Sequence, residues 1–479
     1  MEECLIDHRG ESSKERSQRT SFSQCLLRII DRRAVGHVTI DILPNDVLLE
    51  VFFVYQKLNP TDRSWWQTLV HVCRRWRGTI FASPLHLRLV LKCTAKTPVR
   101  KSLNIWPPLP IIIYHEIQGL GLDGDDNIIA ALAHRDRVTE MHLTSYYLQE
   151  RFATAMRGSF PALTHLDFGS HSRMILPEAF LGESAPSLRT LVLNGSVLPA
   201  LPKLLLSTSH LVTLELSRIS IHGYISPEAM ATCLAMLPNL EHLRFGFDSS
   251  RTHPNQTLFT RTVLPTLTSF HFEGASEYLD DFIARVDAPA LQTFLIDFSG
   301  PIFRISQLYK FISRAEWFKL PTQAMVNFEA FTYIRLLPLD GFNLTISCGE
   351  GVSSMASVCQ ELSPFFSHVE RLELYGRYRR RGQPNMDPPP WPELFHPFIA
   401  VQNLCVSTRL VPLIAPALQD LTGERAIEVL PKLRMLFLGG YQPYSSVQEA
   451  IEPFVAACQR SGHLVVVQLW SIDNDDQSL

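Results

Sequence analysis

Four short stretches gather side chains that could do chemistry. His134-Arg135-Asp136 resembles the catalytic loop of a phosphoryl-transfer enzyme, and Asp297-Phe298-Ser299-Gly300 resembles its magnesium-holding loop. That chemistry uses one aspartate to take the proton of the attacking hydroxyl and another to hold the metal. It also needs a glycine-rich loop and a strand lysine upstream to cradle the phosphates. Neither precedes His134, Ser299 stands where a glycine is required, and the two aspartates lie too far apart in the chain. Asp297 therefore reads as a strand-end residue. "DGDDN", Asp123 to Asn127, begins like a calcium loop, but Ile128 replaces the turn glycine and His134 the closing glutamate. The fourth stretch, "RYRRR" from Arg377 to Arg381, is a basic cluster after a strand-like segment. Guanidinium forks bind oxyanions well, so Arg377, Arg379, Arg380 and Arg381 form either a docking patch for an acidic or phosphorylated partner or a solvated loop.

No P-loop, dinucleotide fingerprint, nucleophile elbow or His-Glu-x-x-His motif occurs, and the 17 histidines are scattered. Nine cysteines, an odd number without any Cys-x-x-Cys pair, fit reduced thiols of the cytosol or nucleus. They argue against a disulfide framework or zinc site. We expect no catalytic residues, no metal and no cofactor. A net charge of -3 provides no global field for nucleic acid or an acidic membrane. No apolar run approaches the ~18 to 20 residues that span a bilayer, and the charged opening "MEECLIDHRGESSKERSQRT" lacks a secretory apolar core. These features place the chain in the cytoplasm or nucleus.

The elements around these stretches are more informative. From Val138 onward the pattern L-x-x-L-x-L recurs eleven times, with conservative replacements: "VTEMHL", "LTHLDF" (Leu163), "LRTLVL" (Leu188), "LVTLEL" (Leu211), "LEHLRF" (Leu240), "LTSFHF" (Leu267) and "LQTFLI" (Leu291). Later come "VERLEL" (Val369), "VQNLCV" (Val401), "LRMLFL" (Leu433) and "LVVVQL" (Leu464). A repeat of this length marks a solenoid. Pro161, Pro186, Pro238, Pro265, Pro289 and Pro431 each precede the leading leucine by two residues, where proline ends a helix and favours an extended approach. Helical patterns lie between the copies at Ser226 to Leu237, Ser276 to Val286 and Val447 to Gln459. The fold class expected is α/β, with parallel strands on the concave side of a leucine-rich-repeat horseshoe and helices on its convex side. Copies fade between Leu291 and Val369. There an irregular insertion at about 318–350 reads as two alternating strands around Pro338 to Gly341, either a hairpin or a degenerate pair of repeats.

Ahead of the repeats, 1–37 read as a flexible arm, 38–92 as a small helical unit and 93–479 as the repeat domain. Pro44, Asn45 and Asp46 open the first helix. Between Val47 and Val54 its only polar residue is Glu50, so both faces are apolar. A second segment, Ser64 to Phe81, places Leu69, Val72, Cys73 and Trp76 on one helical face.

Leu43-Pro44, Asp46, Leu48, Val51-Phe52 and "VCRRWR" (Val72 to Arg77) resemble an F-box, although "NPTDRSWWQTLV" is longer than the family's middle segment and lacks a clean Asp-Leu. Nearly end to end, the chain looks like F-box proteins with degenerate leucine-rich repeats from mushroom-forming fungi. The resemblance implies a three-helix module that binds the Skp-type adaptor of an SCF-type cullin–RING ubiquitin ligase, and repeats that capture a protein substrate. It implies Leu43, Pro44, Leu48, Val51, Phe52, Leu69, Val72, Cys73 and Trp76 as the module and its adaptor-facing surface. Leu48 and Phe52 are expected toward the adaptor, with Leu49 and Phe53 inward. The alternative is an F-box scaffold or binding protein acting outside a ligase.

Overall fold

The computed structural model describes residues 40–470 except 59–64, 84–86, 95, 117–124, 146–149, 220, 248–260, 300–304, 329–331, 338–341, 350–351, 377–389, 408, 421–428, 440–443, 461 and 463. The arm at 1–37 and the basic cluster Arg377 to Arg381 fall outside the described residues. The chain divides into two compact units, Met1–Arg88 and Leu89–Leu479. The division comes before residue 92 because Leu89–Lys92 is already a strand of the second unit.

In the first unit, a 3-10 turn at Ile40–Ile42 leads into helix α1 (Asn45–Leu58), followed by α2 (Trp65–Val70) and α3 (Arg74–Phe81). Pro44 supplies the first helical acceptor, to the Leu48 amide at 3.0 Å. The segment from Ser64 to Phe81 is two helices, which corrects the single face expected for it. After Val70 the chain tightens into i→i+3 bonds, Thr68 O to the His71 amide and Leu69 O to the Val72 amide. Cys73 is then extended, with φ -155° and ψ 170°, and its Sγ accepts from the Trp76 amide at 3.4 Å as the cap of α3. A thiol in that role breaks the i, i+3, i+4 run and turns Val72 outward.

The second unit is a mixed α/β layer with a long, mostly parallel sheet, consistent with a leucine-rich-repeat solenoid. Its strands open with β1 (Leu89–Lys92), β2 (Ile111–Glu116), β3 (Val138–Ser145), β4 (His165–Ile175), β5 (Thr190–Val197), β6 (Thr213–Ile219) and β7 (His242–Phe247). The middle holds β8 (Thr262–Val263), β9 (Ser269–Gly274), β10 (Val286–Asp287), β11 (Thr293–Phe298), β12 (Gln323–Phe328), β13 (Thr332–Leu337) and β14 (Asn343–Cys348). Last come β15 (Arg371–Tyr375), β16 (Asn403–Ser407), β17 (Met435–Gly439) and β18 (Val466–Trp470). Sixteen of these form one sheet among the described residues, while β8 and β10 pair separately. All eleven repeat copies lie in the large sheet, each strand starting at the leading residue or two beyond it.

The leading residue closes a turn, as in Leu163 N to Phe160 O and Leu188 N to Ala185 O, and is buried in every copy but the last, where Leu464 is exposed. The next residue donates its amide to the same position one repeat back: Thr164 to Thr139, Arg189 to Thr164, Val212 to Arg189, Glu241 to Val212, Thr268 to Glu241 and Gln292 to Thr268, all at 2.8–2.9 Å. This main-chain ladder satisfies each turn and holds the strands in register. Within a strand, alternate residues point to the helix-covered face, as in β9, where Phe270 and Phe272 are buried and Ser269, His271 and Glu273 are not. Aromatic rings fill the middle of that core: Phe282, on the helix Ser276–Ala284, sits 5.1 Å from Phe245 and 5.7 Å from Phe270.

The insertion is a three-strand meander rather than two strands. Chain order and space order differ: the sheet runs β11-β14-β13-β12-β15. Strand β13 is antiparallel to both neighbours, and β14 and β12 pair in parallel with β11 and β15. The ladder explains the docking. Asn343 N donates to Gln292 O at 2.7 Å, so β14 takes the place of the next repeat, and Glu370 N donates to Thr322 O at 2.8 Å, so β12 takes the place of the previous one.

Candidate partner-binding surfaces

In the helical unit the sequence leaves the phase of α1 undecided, because Val, Leu and Phe surround it. Packing on α3 decides it. Leu48 and Phe52 are 0% and 1% exposed, and the Phe52 ring lies 4.9 Å from that of Trp76. This corrects their expected outward placement: the face that meets Trp76 is the inner one, and a Leu and a Phe buried there remove more apolar area from water than valines would. Leu69 is also buried, Leu43, Cys73 and Trp76 are half-buried, and Pro44, Val51 and Val72 are exposed. Leu49 and Phe53 are half-buried, between the two faces.

The outer face is a stripe the sequence reading missed apart from Val51. Val47, Val51, Val54 and Leu58 are 40%, 44%, 43% and 53% exposed and stand at i, i+4, i+7 and i+11. That spacing puts them in one line along the helix. Ile40 and Ile42 are exposed as well. The signal available was the pairing of small β-branched residues at helical spacing opposite large ones. Arg75 braces the start of α1, its guanidinium donating to Leu43 O and, at 3.0 Å, to Asn45 Oδ1. Arg77 ties α3 to α2 by donating to Val70 O at 3.1 Å. Each stripe residue would gain about 1 kcal/mol if a partner covered it, half of a full burial.

In the repeat unit, the sheet face opposite the helices carries rows of polar and aromatic side chains set by the strand register. Near the start, Tyr114 stacks on His142 at 4.6 Å and His142 meets His165 at 4.7 Å. Glu140 and Asp167 approach His142 to 3.8 Å each. Further along, the His271 ring and Asp297 Oδ2 are 2.7 Å apart. Burial pushes the Asp297 carboxyl up, but hydrogen bonds with His271 and Ser347 and the charges of His271 and Arg244 outweigh it and hold it below the usual carboxylate range. Asp297 thus lies within β11, on its open face, and belongs to no metal-holding loop.

Beyond the meander, Arg371 Nε donates to Glu373 Oε1 at 2.6 Å, and the Tyr375 hydroxyl donates to Oε2 at 3.0 Å. Burial and the charge of Glu373 push the Tyr375 phenol up. Burial works against the Arg371 charge, yet the bond to Glu373 outweighs it and holds the guanidinium protonated. Arg371 also lies 5.8 Å from the centre of the Phe437 ring.

Among the described residues Cys73, Cys93, Cys233, Cys348, Cys359, Cys405 and Cys458 are free thiols. Burial pushes Cys93 and Cys348 up to about 12; for Cys405 burial, with the charge of Glu373, outweighs Arg371 and gives about 11. Such thiols stay protonated at neutral pH and make poor nucleophiles. Among the described residues no cluster of His, Cys, Asp and Glu is placed to hold a metal, and no helix is long and apolar enough to cross a membrane.

No family model matches the chain, and no curated protein matches it. Among solved structures, the leucine-rich repeat-containing protein LegL7 from Legionella pneumophila is similar at 12% identity over 79% of this chain and 99% of that one, with a TM-score of 0.27. A structure of the Rad7 and Elc1 complex in yeast is similar at 13% identity over 90% of this chain and 94% of that one, with a TM-score of 0.28. At such TM-scores the assignment of a repeat sheet rests on its own strand order and ladder.

Proposed function

We propose that this chain is an F-box and leucine-rich-repeat substrate receptor. The helical unit docks a Skp-type adaptor, and through it a cullin, while the open face of the sheet captures a protein. The observation that carries the reading is the stripe Val47, Val51, Val54 and Leu58: a helix that buries one apolar face leaves a second in water. Exposed apolar lines of this kind mark interaction surfaces. The F-box-like residues at both ends of the unit, Leu43-Pro44 and "VCRRWR", support the adaptor as the partner. The chain adds no chemistry in this role. It holds a substrate beside a ubiquitin-charged enzyme and raises its effective concentration.

Co-purification of the full chain with a Skp-type adaptor tests the proposal. The wild type is expected to bind, and Val51→Asp to lose binding, because a carboxylate carried into an apolar interface is left without a partner. A wild type that does not bind, or an Asp variant that binds equally, sinks it. Adaptor without cullin in the complex favours a scaffold outside a ligase.

A further inference from the structure

We infer that the meander builds a subsite for an acidic side chain of the captured polypeptide, centred on Arg335. This rests on the reading of the open sheet face as the capture surface. The flanking ionic groups of this face already hold one another: His271 with Asp297 on one side, and Arg371 with Glu373 and Tyr375 on the other. Arg335 differs. Among the described residues it has no ion pair and no hydrogen bond, and its Nε is shut off from water without an acceptor. Its guanidinium lies over the face of Tyr333, 5.9 Å from Cζ to ring centre.

The register explains why no counter-ion reaches it. Strand β13 places Arg335 between Thr345 of β14 and Met325 of β12, neither of them charged. Thr345 Oγ1 is also buried without a partner. The Tyr333 hydroxyl accepts from Asn327 Nδ2 at 3.2 Å, which leaves its own proton to donate. The patch therefore offers a guanidinium fork and a phenol proton; the unpartnered acceptors beside them, Thr345 Oγ1 and Asn327 Oδ1, are neutral, and neither flanking residue is a carboxylate. Leaving such groups unmatched is costly, and a carboxylate held by the fork removes the cost. The half-buried side chain of Met325 flanks the charge, with Leu295 one strand beyond Thr345 on the same face and Glu373, already bonded to Arg371 and Tyr375, one strand beyond Met325. An apolar flank suits a polypeptide carrying Asp or Glu better than a bare anion, and Arg beside Tyr is the composition of a binding hot spot.

The test is selection of a displayed random 12-residue peptide library on the full chain, followed by affinity measurement with synthetic peptides. Selected peptides are expected to carry an acid whose exchange from Glu to Gln weakens binding by roughly 10- to 100-fold. Arg335→Met should bind the Glu and Gln forms alike, and Arg335→Glu should prefer a Lys form, a reversal that a structural role for Arg335 does not produce. Equal binding of Glu and Gln forms to the wild type overturns the subsite without needing any variant to fold. So does a preference for Glu that persists in Arg335→Met, or binding confined to a phosphoserine form. Peptides indifferent to Arg335 but lost with Met325→Asp remove the subsite and keep the capture face. A library that enriches nothing, or only peptides indifferent to both changes, removes both.

Discussion

The outer stripe of α1 and the open face of the sheet are made of opposite materials. On α1 the outward residues are valines and a leucine left about half exposed: the unit's interior is supplied by Leu48, Phe52 and their neighbours on the other side. On the sheet the outward residues are ionic and aromatic, and many are tied to one another across strands. The difference teaches where each surface gets its specificity. An apolar line binds whatever matches its shape and suits a constant partner. A charged and aromatic face discriminates, since each mismatched partner leaves a buried polar group unpaired. Substitutions should therefore separate folding from binding on α1 and entangle them on the sheet.

The sharpest break comes from the inner face. Phe52→Ala removes a fully buried ring tilted against Trp76 and should cost about 3 to 5 kcal/mol. A helical unit of this size commands roughly that much in total, so amide protection across α1 should vanish in hydrogen exchange. Protection that survives would place the core elsewhere. Beside it, Val51→Asp should leave that protection within about 0.5 kcal/mol of the wild type while abolishing capture of the adaptor. An Asp variant that loses protection like the Phe52 variant erases the distinction between the two faces.

The sheet should answer differently. Glu373→Ala removes the acceptor shared by Arg371 and Tyr375 and strands a largely covered guanidinium. A loss of about 2 kcal/mol is expected in urea unfolding of the repeat unit, though the residue lies on the outward face. No loss would make this face as dispensable to the fold as the stripe of α1.

How much of this was legible depended on whether the information was local. The eleven strands announced themselves because each repeat needs its own leucines for burial. Strands β1 and β2 did not, since "LVLK" and "PIIIYHE" lack the repeat spacing, although the run of isoleucines is strand-like. Alternation in "MVNFEAFTYIRLLPLDGFNLTISC" revealed strands, but their order in the sheet is decided by ladder bonds from Asn343 to Gln292 and from Glu370 to Thr322, each joining residues far apart in the chain. On α1 periodicity fixed a helix and could not fix its phase, because both faces are apolar and Leu48 with Phe52 matches Leu49 with Phe53 in size; the contact of Phe52 with Trp76 resolved it. The neighbours of Arg335 were illegible for a related reason: cross-strand register, not sequence spacing, brings Thr345 and Met325 beside it.

The smallest effect tests whether the sheet's ionic pairs act on the fold through their charge. The Asp297 carboxyl is held below its ordinary 3.8 in the folded chain. A depressed carboxylate contributes stability that is complete above the unfolded value and lost as pH falls through the folded one. The contribution should therefore be whole at pH 6 and fade below about pH 4. Its size is limited, because the side chain is 43% exposed to solvent that screens it, and less than about 1 kcal/mol is expected. Asp297→Asn cannot titrate, so the gap in stability between wild type and variant, read by hydrogen exchange in β9 and β11, should narrow between pH 5 and pH 3. A gap that stays constant across that window would mean that Asp297 holds His271 by geometry alone, and that the outward ionic pairs are as passive toward folding as the valines of α1.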